Sequence, residues 1–160
     1  MRSLSEPWPV PLLPRGHRVS PWGLGCLRIH ADILARSFDG TVDADEIPSL
    51  STFDGCLKVM KSVKRSPSFR AEACWIISDG SGPVAAIQGL QRDDGFGWIH
   101  NLGVIPEARQ RGLAKVLISQ VLTAFRYLGS SHVALESNAD NAAANGLYAS
   151  FGFTSSLKPL

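Results

Sequence analysis

Arg109-Gln110-Arg111-Gly112-Leu113-Ala114 lies between an apolar run ending at Val104-Ile105-Pro106 and a helix-like apolar pattern. A strand-to-helix junction presents the unpaired N–H groups of a helix N-terminus and the positive end of its dipole. Gly112 and Ala114 lack bulk, so an anion can approach that backbone closely. Arg109 and Arg111 add charge-assisted donors for phosphate. On physical grounds two readings stand: a phosphate or pyrophosphate cradle, and an exposed basic turn.

Other chemical patterns fit poorly. The phosphate loop GxxxxGK[ST] is absent, and so are HExxH, GxSxG and any metal-spaced cluster among His17, His30, His100 and His132. Gly80-Ser81-Gly82-Pro83-Val84-Ala85 has the spacing GxGxxA but sits between two strand-like runs, which makes it a hairpin turn. Cys26, Cys56 and Cys74 are widely spaced and odd in number, so they read as buried free thiols in a reducing, cytoplasmic setting. The acidic residues Asp39, Asp43, Asp45 and Glu46 read as a solvated loop, with attraction of a cationic amine as the alternative.

The elements that must position the basic turn follow from hydrophobic period. Residues 26–38 carry Leu27, Ala31, Leu34 and Phe38 at helical spacing, and a second helix is expected around 55–65. The runs ACWIIS, PVAAIQGL and FGWIHNLGV, separated by Asp79-Gly80-Ser81-Gly82 and Asp93-Asp94-Gly95, predict three antiparallel strands. A helix over about 112–128 has a broad apolar face, including Leu113, Leu117, Val121 and Phe125, suited to packing on a sheet. HVALES is then a strand and residues 141–151 a helix, a strand–helix–strand order that favours parallel pairing. The fold class is α/β with an α+β mixed sheet: an antiparallel meander followed by a βαβ-type unit. The proline-rich first 21 residues read as irregular, with room for one edge strand.

The chain has 160 residues, 44% hydrophobic and 19% charged, with a net charge of +2, which suits one soluble domain. That balance lacks the concentrated basic face of a nucleic-acid binder. No apolar run is long enough for a membrane span, and prolines interrupt any leader-like stretch at the start.

Residues 109–114 match the signature R/Q-x-x-G-x-G/A, and Asn141 to Phe153 match N-x-x-A-x-x-L-Y-x-x-x-G-F. With the strand pattern of IHNLGVIPEARQRGL, these motifs resemble the GNAT superfamily of acyl-CoA-dependent N-acetyltransferases, over about residues 72–154. The resemblance implies a single GNAT-like domain over 1–160, with residues 1–70 recognising the acceptor and 71–160 binding acyl-CoA. It implies a central strand pair splayed apart, acetyl-CoA as cosubstrate, no metal, and an amine acceptor.

By the same resemblance, the backbone of Gln110, Arg111, Gly112, Leu113, Ala114 and Lys115 holds the pyrophosphate. Leu102 and Val104 pair with the pantetheine arm, and the Val104 N–H faces the acetyl oxygen. Tyr148 protonates the departing thiolate. Asn141 either contacts the cofactor or caps its helix. The general base is His100 or Glu136. A non-catalytic acyl-CoA sensor is the alternative function. A homodimer completing the sheet edge beyond a short last strand after Phe153 is a further expectation.

Overall fold

The computed structural model describes residues 1–155. Prolines break the N-terminal segment into two short strands, β1 (Arg2–Ser3) and β2 (Arg18–Pro21). Helix α1 (Cys26–Phe38) follows, then α2 (Val42–Glu46), a 3-10 turn at Pro48–Ser51, and α3 (Phe53–Arg65). The Thr41 and Thr52 side chains cap α2 and α3 by accepting from backbone N–H groups. The remaining elements are β3 (Phe69–Asp79), β4 (Gly82–Gln91), β5 (Gly97–Val104), α4 (Leu113–Tyr127), β6 (His132–Leu135) and α5 (Ala142–Ser150).

Among the described residues six strands form one mixed sheet in the order β1-β6-β5-β4-β3-β2. Strands β2 to β5 are an antiparallel meander, and β5 pairs in parallel with β6 through the α4 crossover. The predicted mixed sheet is therefore present, with differences at its rims. The meander has four strands, because β2 from the proline-rich segment joins β3. The opposite edge, beside β6, is closed by β1 of the same chain, with Arg2 opposite Val133. The acidic stretch expected as a loop is partly helical, in α2. The last strand expected after Phe153 falls mainly on residues 156–160, which lie outside those described.

Apolar faces meet where the period predicts. Leu113, Leu117, Val121 and Phe125 of α4 are buried against Ala85, Ile87 and Ile99 of the sheet, and Ile33 of α1 belongs to the same core. The Phe125 ring lies over the backbone of Gly89 and Gly97. A Cβ at those positions would come within 2.6 and 2.5 Å of the ring. A second apolar cluster joins α1 to α3 through Leu34, Cys56, Met60 and Val63. All three cysteines are buried and unpaired. Burial pushes the Cys56 thiol up to about 11 and that of Cys74 to about 12. Among the described residues no helix is long and apolar enough to cross a membrane.

The N-terminal segment is tied down by two cations. Arg2 is buried and donates to the carbonyls of Phe151, Glu6 and Pro7. Arg126 donates to the Leu4 carbonyl at 2.8 Å, and the two guanidinium groups lie 5.4 and 4.0 Å from the Trp8 ring.

His30 is fully buried against Trp22 and hydrogen-bonds the Gln88 side chain. Desolvation lowers its pKa to about 3, so it folds as the neutral imidazole. The unfolded chain takes up a proton there below about pH 6.5, whereas the folded chain does not. Its contribution is therefore intact above pH 6.5 and is lost as pH falls from there towards 3. By pH 5 the loss should reach about 2 kcal/mol. Urea midpoints at pH 7 and pH 5 should show that loss in the parent protein and little of it in His30→Leu. Equal pH slopes in the two would remove His30 as the cause.

Candidate active site

The site begins where β5 parts from β6. Their pairing runs from Gly97 opposite Val133 to Ile99 opposite Leu135 and stops, while β5 continues to Val104. The cause is local. On the β4 side, Gln88 faces Asn101 and the adjacent Gly89 faces Ile99, so His100 is one extra residue in β5. Such a bulge bends the strand that carries it and disrupts pairing beyond it. The splayed strand pair that the family resemblance implied is present.

Register decides which amides the splay uncovers. The Ile105 N–H donates to the Val84 carbonyl, so Gly103 and Asn101 in alternation turn their amides to β4. Leu102 and Val104 then turn theirs to the open side, where no strand of the described residues meets them. The Val104 carbonyl accepts from Arg109 Nε at 3.2 Å, leaving its N–H facing the opening.

The basic turn follows at once. Pro106–Ala108 form a 3-10 turn, Gln110 adopts a φ of 60° and Gly112 a φ of 78°. These left-handed residues swing the chain into α4 and gather its first N–H groups on one concave surface, the arrangement that holds anions. Among the described residues the backbone N–H groups of residues 110–115 have no acceptor, and α4 has no side-chain cap. The first helical bond beyond them runs from the Val116 N–H to the Gly112 carbonyl.

The two arginines go elsewhere. Arg109 donates to the Ser37 carbonyl at 2.8 Å as well as to Val104, tying the end of β5 to the end of α1. Arg111 pairs with Asp79 at 3.2 Å and donates to the Glu107 carbonyl. Their structural task is to brace the turn from both sides. Lys115 is exposed at the cavity wall and has no ion-pair partner among the described residues.

Helix α5 closes the opening from the other side. The Asn141 carbonyl oxygen accepts from the Ala144 N–H at 3.1 Å, which caps the helix. Its amide nitrogen donates to Asp43 of α2 at 3.1 Å. Capping is thus the observed task of Asn141, and it is combined with a tether to the acidic helix. One turn and more along α5, Tyr148 is half-buried and meets the Phe153 ring edge-on at 5.9 Å. Desolvation first, and then the charge of Asp43, raises its phenol pKa to about 12.

Two cavities adjoin at Tyr148. The first, about 550 Å³, runs from Leu102 and Val104 along the turn at Gln110 and Gly112 to Lys115. The second, about 600 Å³, lies between β5, α2, α5 and the segment that follows β6. Tyr148, Leu102, Asp43 and Asn141 line both. His100 and Glu136 both line the second, so the two candidate bases share one chamber. Its walls partly desolvate the His100 imidazole, although water still reaches the ring, and its pKa falls below the usual histidine value. Glu136 is exposed on the chamber's rim.

Of the expected cofactor residues, Leu102, Val104, Arg109, Gln110, Gly112, Leu113, Ala114, Lys115, Asn141 and Tyr148 all line the first cavity. Arg111 does not, because its side chain turns to the β3–β4 hairpin. Asn101, which the sequence reading misses, and Asp43, which it reads as solvated with attraction of an amine as the alternative, also stand in the second chamber. Asp43 belonged to a stretch that reads as solvated, and only long-range folding brings it beside Tyr148. Asn101 has a buried amide nitrogen with no hydrogen-bond partner, and no sequence signal marks it. Among the described residues no cluster of three His, Cys, Asp or Glu is placed to hold a metal.

Residues 46–153, more than half of the chain, match the Acetyltransferase (GNAT) family. The chain belongs to the GNAT family. A mycothiol acetyltransferase from Saccharomonospora viridis is 29% identical to this GNAT chain over 161 residues, covering 94% of this chain and 50% of that protein. Another, from Beutenbergia cavernae, is 36% identical over 88 residues, covering 54% of this chain and 30% of its own length. The GNAT chain thus spans half or less of the curated relatives it matches. Among solved structures, the aminoglycoside N-acetyltransferase AAC(6')-Iy in complex with CoA has a TM-score of 0.67 at 17% identity, covering 93% of this chain and 96% of that one. This likeness is one of fold.

Proposed function

We propose that this chain is an N-acetyltransferase, moving an acetyl group from acetyl-CoA to a primary amine by direct attack in a ternary complex. The observation that carries the reading is the row of unsatisfied N–H groups at residues 110–115, opening into a notch walled by Tyr148. Six backbone donors at the positive end of a 15-residue helix fit a pyrophosphate, and Lys115 adds a charge. Leu102 and Val104 offer free strand edges to the amides of a pantetheine arm. Val104 N–H points where the thioester oxygen gains charge, as a single-donor oxyanion hole.

The amine occupies the second chamber. A lysine-like amine of pKa about 10.4 is neutral in only about one molecule in ~2,500 at pH 7, so a base is needed. His100, with its lowered pKa, is neutral at that pH and accepts the proton as the nitrogen–carbon bond forms. As the carbon–sulfur bond breaks, the Tyr148 hydroxyl donates its proton to the leaving sulfur, and solvent restores the phenol. Asn141 keeps α5, and so Tyr148, in place. The three unpaired thiols support a cytoplasmic setting.

The pH profile separates the two candidate bases. kcat/KM should rise with pH along a limb set by His100, with its midpoint below 6.5, and His100→Gln should abolish that limb. If the limb survives there and disappears in Glu136→Gln, Glu136 is the base.

The whole reading is tested by thermal unfolding with acetyl-CoA, with ADP and NADH as controls, followed by an assay for free CoA with amines. Ligand at about 100 times its Kd adds roughly 2.7 kcal/mol. For a chain of this size that raises Tm by about 5–10 °C. Stabilisation specific to acetyl-CoA with amine-dependent CoA release is expected. Stabilisation without release for any amine would favour the non-catalytic sensor, and no stabilisation would overturn both.

A further inference from the structure

The two groups assigned to the reacting thioester stand on opposite walls of the notch, Val104 at the end of β5 and Tyr148 on α5. Pairing between β5 and β6 stops at Ile99 opposite Leu135, so the sheet does not fix their separation. Nor does α5 hold itself in place, because none of its residues is buried. Its C-terminal end is anchored by Phe151, whose side chain lies in the core and whose carbonyl accepts from Arg2. Its N-terminal end is anchored by Asn141, whose amide nitrogen donates to Asp43 at 3.1 Å. Among the described residues this is the one hydrogen bond that ties residues 141–150 to a distant part of the chain. The others that this stretch makes stay within residues 137–153.

Asp43 is itself placed by a path that leads back to Val104. Arg109 donates to the Val104 carbonyl and, at 2.8 Å, to the Ser37 carbonyl, which fixes the end of α1 against the end of β5. The Thr41 hydroxyl donates to the Phe38 carbonyl at 2.7 Å and accepts from the Ala44 N–H, so α2 starts from that fixed end. Ala44, next to Asp43, is buried and seats the helix. Asp43 then reaches Asn141, and the connection across the notch is complete.

From this connection we infer that Asp43 is a positioning residue for acetyl transfer. Its hydrogen bond with Asn141 sets the N-terminal end of α5, and so the approach of the Tyr148 hydroxyl to the leaving sulfur. The inference rests on the acetyl-transfer reading and adds a residue to the machinery of the same site. A displacement of about 1 Å can cost about 10²-fold in rate, so one clasp carries a large effect. Charge is not what the role requires. After desolvation, the Asp43 charge is the other influence that raises the Tyr148 pKa, whereas the hydrogen bond needs only an accepting oxygen.

Three variants separate these effects. Asp43→Ala removes the acceptor, Asp43→Asn keeps an accepting oxygen without the charge, and Asn141→Ser keeps a helix cap and drops the amide. Asp43→Ala should lower kcat and kcat/KM together by about ten-fold or more, with the Kd for acetyl-CoA within about two-fold. Asp43→Asn should restore kcat to within about three-fold of the parent. Asp43→Ala and Asn141→Ser remove the same bond, so the double variant should be slower than the worse single variant by no more than about two-fold. Position is read without substrate by fluorine NMR of the protein carrying 3-fluorotyrosine at its two tyrosines. Tyr127 is 85% exposed and serves as the internal reference. The Tyr148 resonance should move in Asp43→Ala and Asn141→Ser and return in Asp43→Asn. An unmoved resonance in Asp43→Ala, an Asp43→Asn variant as slow as Asp43→Ala, or multiplied losses in the double variant would overturn the inference. A resonance that moves and returns as expected in a protein that transfers no acetyl group would overturn acetyl transfer and leave Asp43 as the residue that places Tyr148.

Discussion

Tyr148→Phe should lower kcat by about 10²-fold or more while leaving the Kd for acetyl-CoA within two-fold. The substitution removes one oxygen and nothing else that the fold uses. Among the described residues that hydroxyl has no hydrogen-bond partner, and the ring's edge-on contact with Phe153 survives in phenylalanine. Thermal stability should therefore be unchanged or slightly raised. The phenol, held at a pKa of about 12 by desolvation and by Asp43, stays protonated throughout the working pH range. Its loss should scale the pH profile down without moving its limbs. Steady-state kinetics and calorimetry on one preparation separate the outcomes. Unchanged turnover, or a loss confined to KM, would take Tyr148 out of the acid role.

The features on which that expectation depends were unevenly legible in the sequence. The backbone path of the turn at residues 109–114 could be read because it follows from Gly112 and its neighbours, whereas the choice of a pyrophosphate cradle over an exposed basic turn came from the family resemblance. The Asn141 cap was one of two readings open for that residue and is local to its helix, whereas Tyr148 was marked only by the family motif. The destinations of Arg109 and Arg111 could not be read. Their partners, the Ser37 carbonyl and Asp79, are set by how α1 and the β3–β4 hairpin pack, and a basic side chain carries no mark of which acceptor it will find. The bulge at His100 also lacked a signal, because one extra residue in a strand changes no composition or period that a short run can show. Asp43 illustrates the same limit. Its stretch reads as solvated by charge alone, and only the tether to Asn141 brings its carboxylate to the site.

Phe125→Ala should have the largest effect on stability, about 3–5 kcal/mol, or a drop in Tm of roughly 8–15 °C. The ring is fully buried and lies over two glycines, Gly89 of β4 and Gly97 of β5, where a Cβ would clash with it. That arrangement sets α4 close against the sheet. Removing the ring leaves a void that the rigid strands cannot collapse to fill. Conversely, Gly97→Ala should destabilise by overpacking, by about 1–3 kcal/mol. The two changes act on one volume, so the double variant should be more stable than the sum of the single losses predicts. Urea denaturation of the four proteins completes the cycle. Strict additivity would mean that ring and glycine do not share that space.

The closure of the sheet by β1 has a consequence in time. Arg2 must reach a carbonyl 149 positions further along the chain, and β1 pairs with a strand that leaves the ribosome after α4. While the nascent chain grows, β1 waits without a partner, and when β6 emerges its outer edge stays bare until β1 finds it. Contacts so distant in sequence form slowly. An unpaired strand edge is where a second nascent chain can add itself. The closing of this edge is thus a race between self-recognition and aggregation, and the cation-clasped Trp8 segment that brings β1 home favours the first.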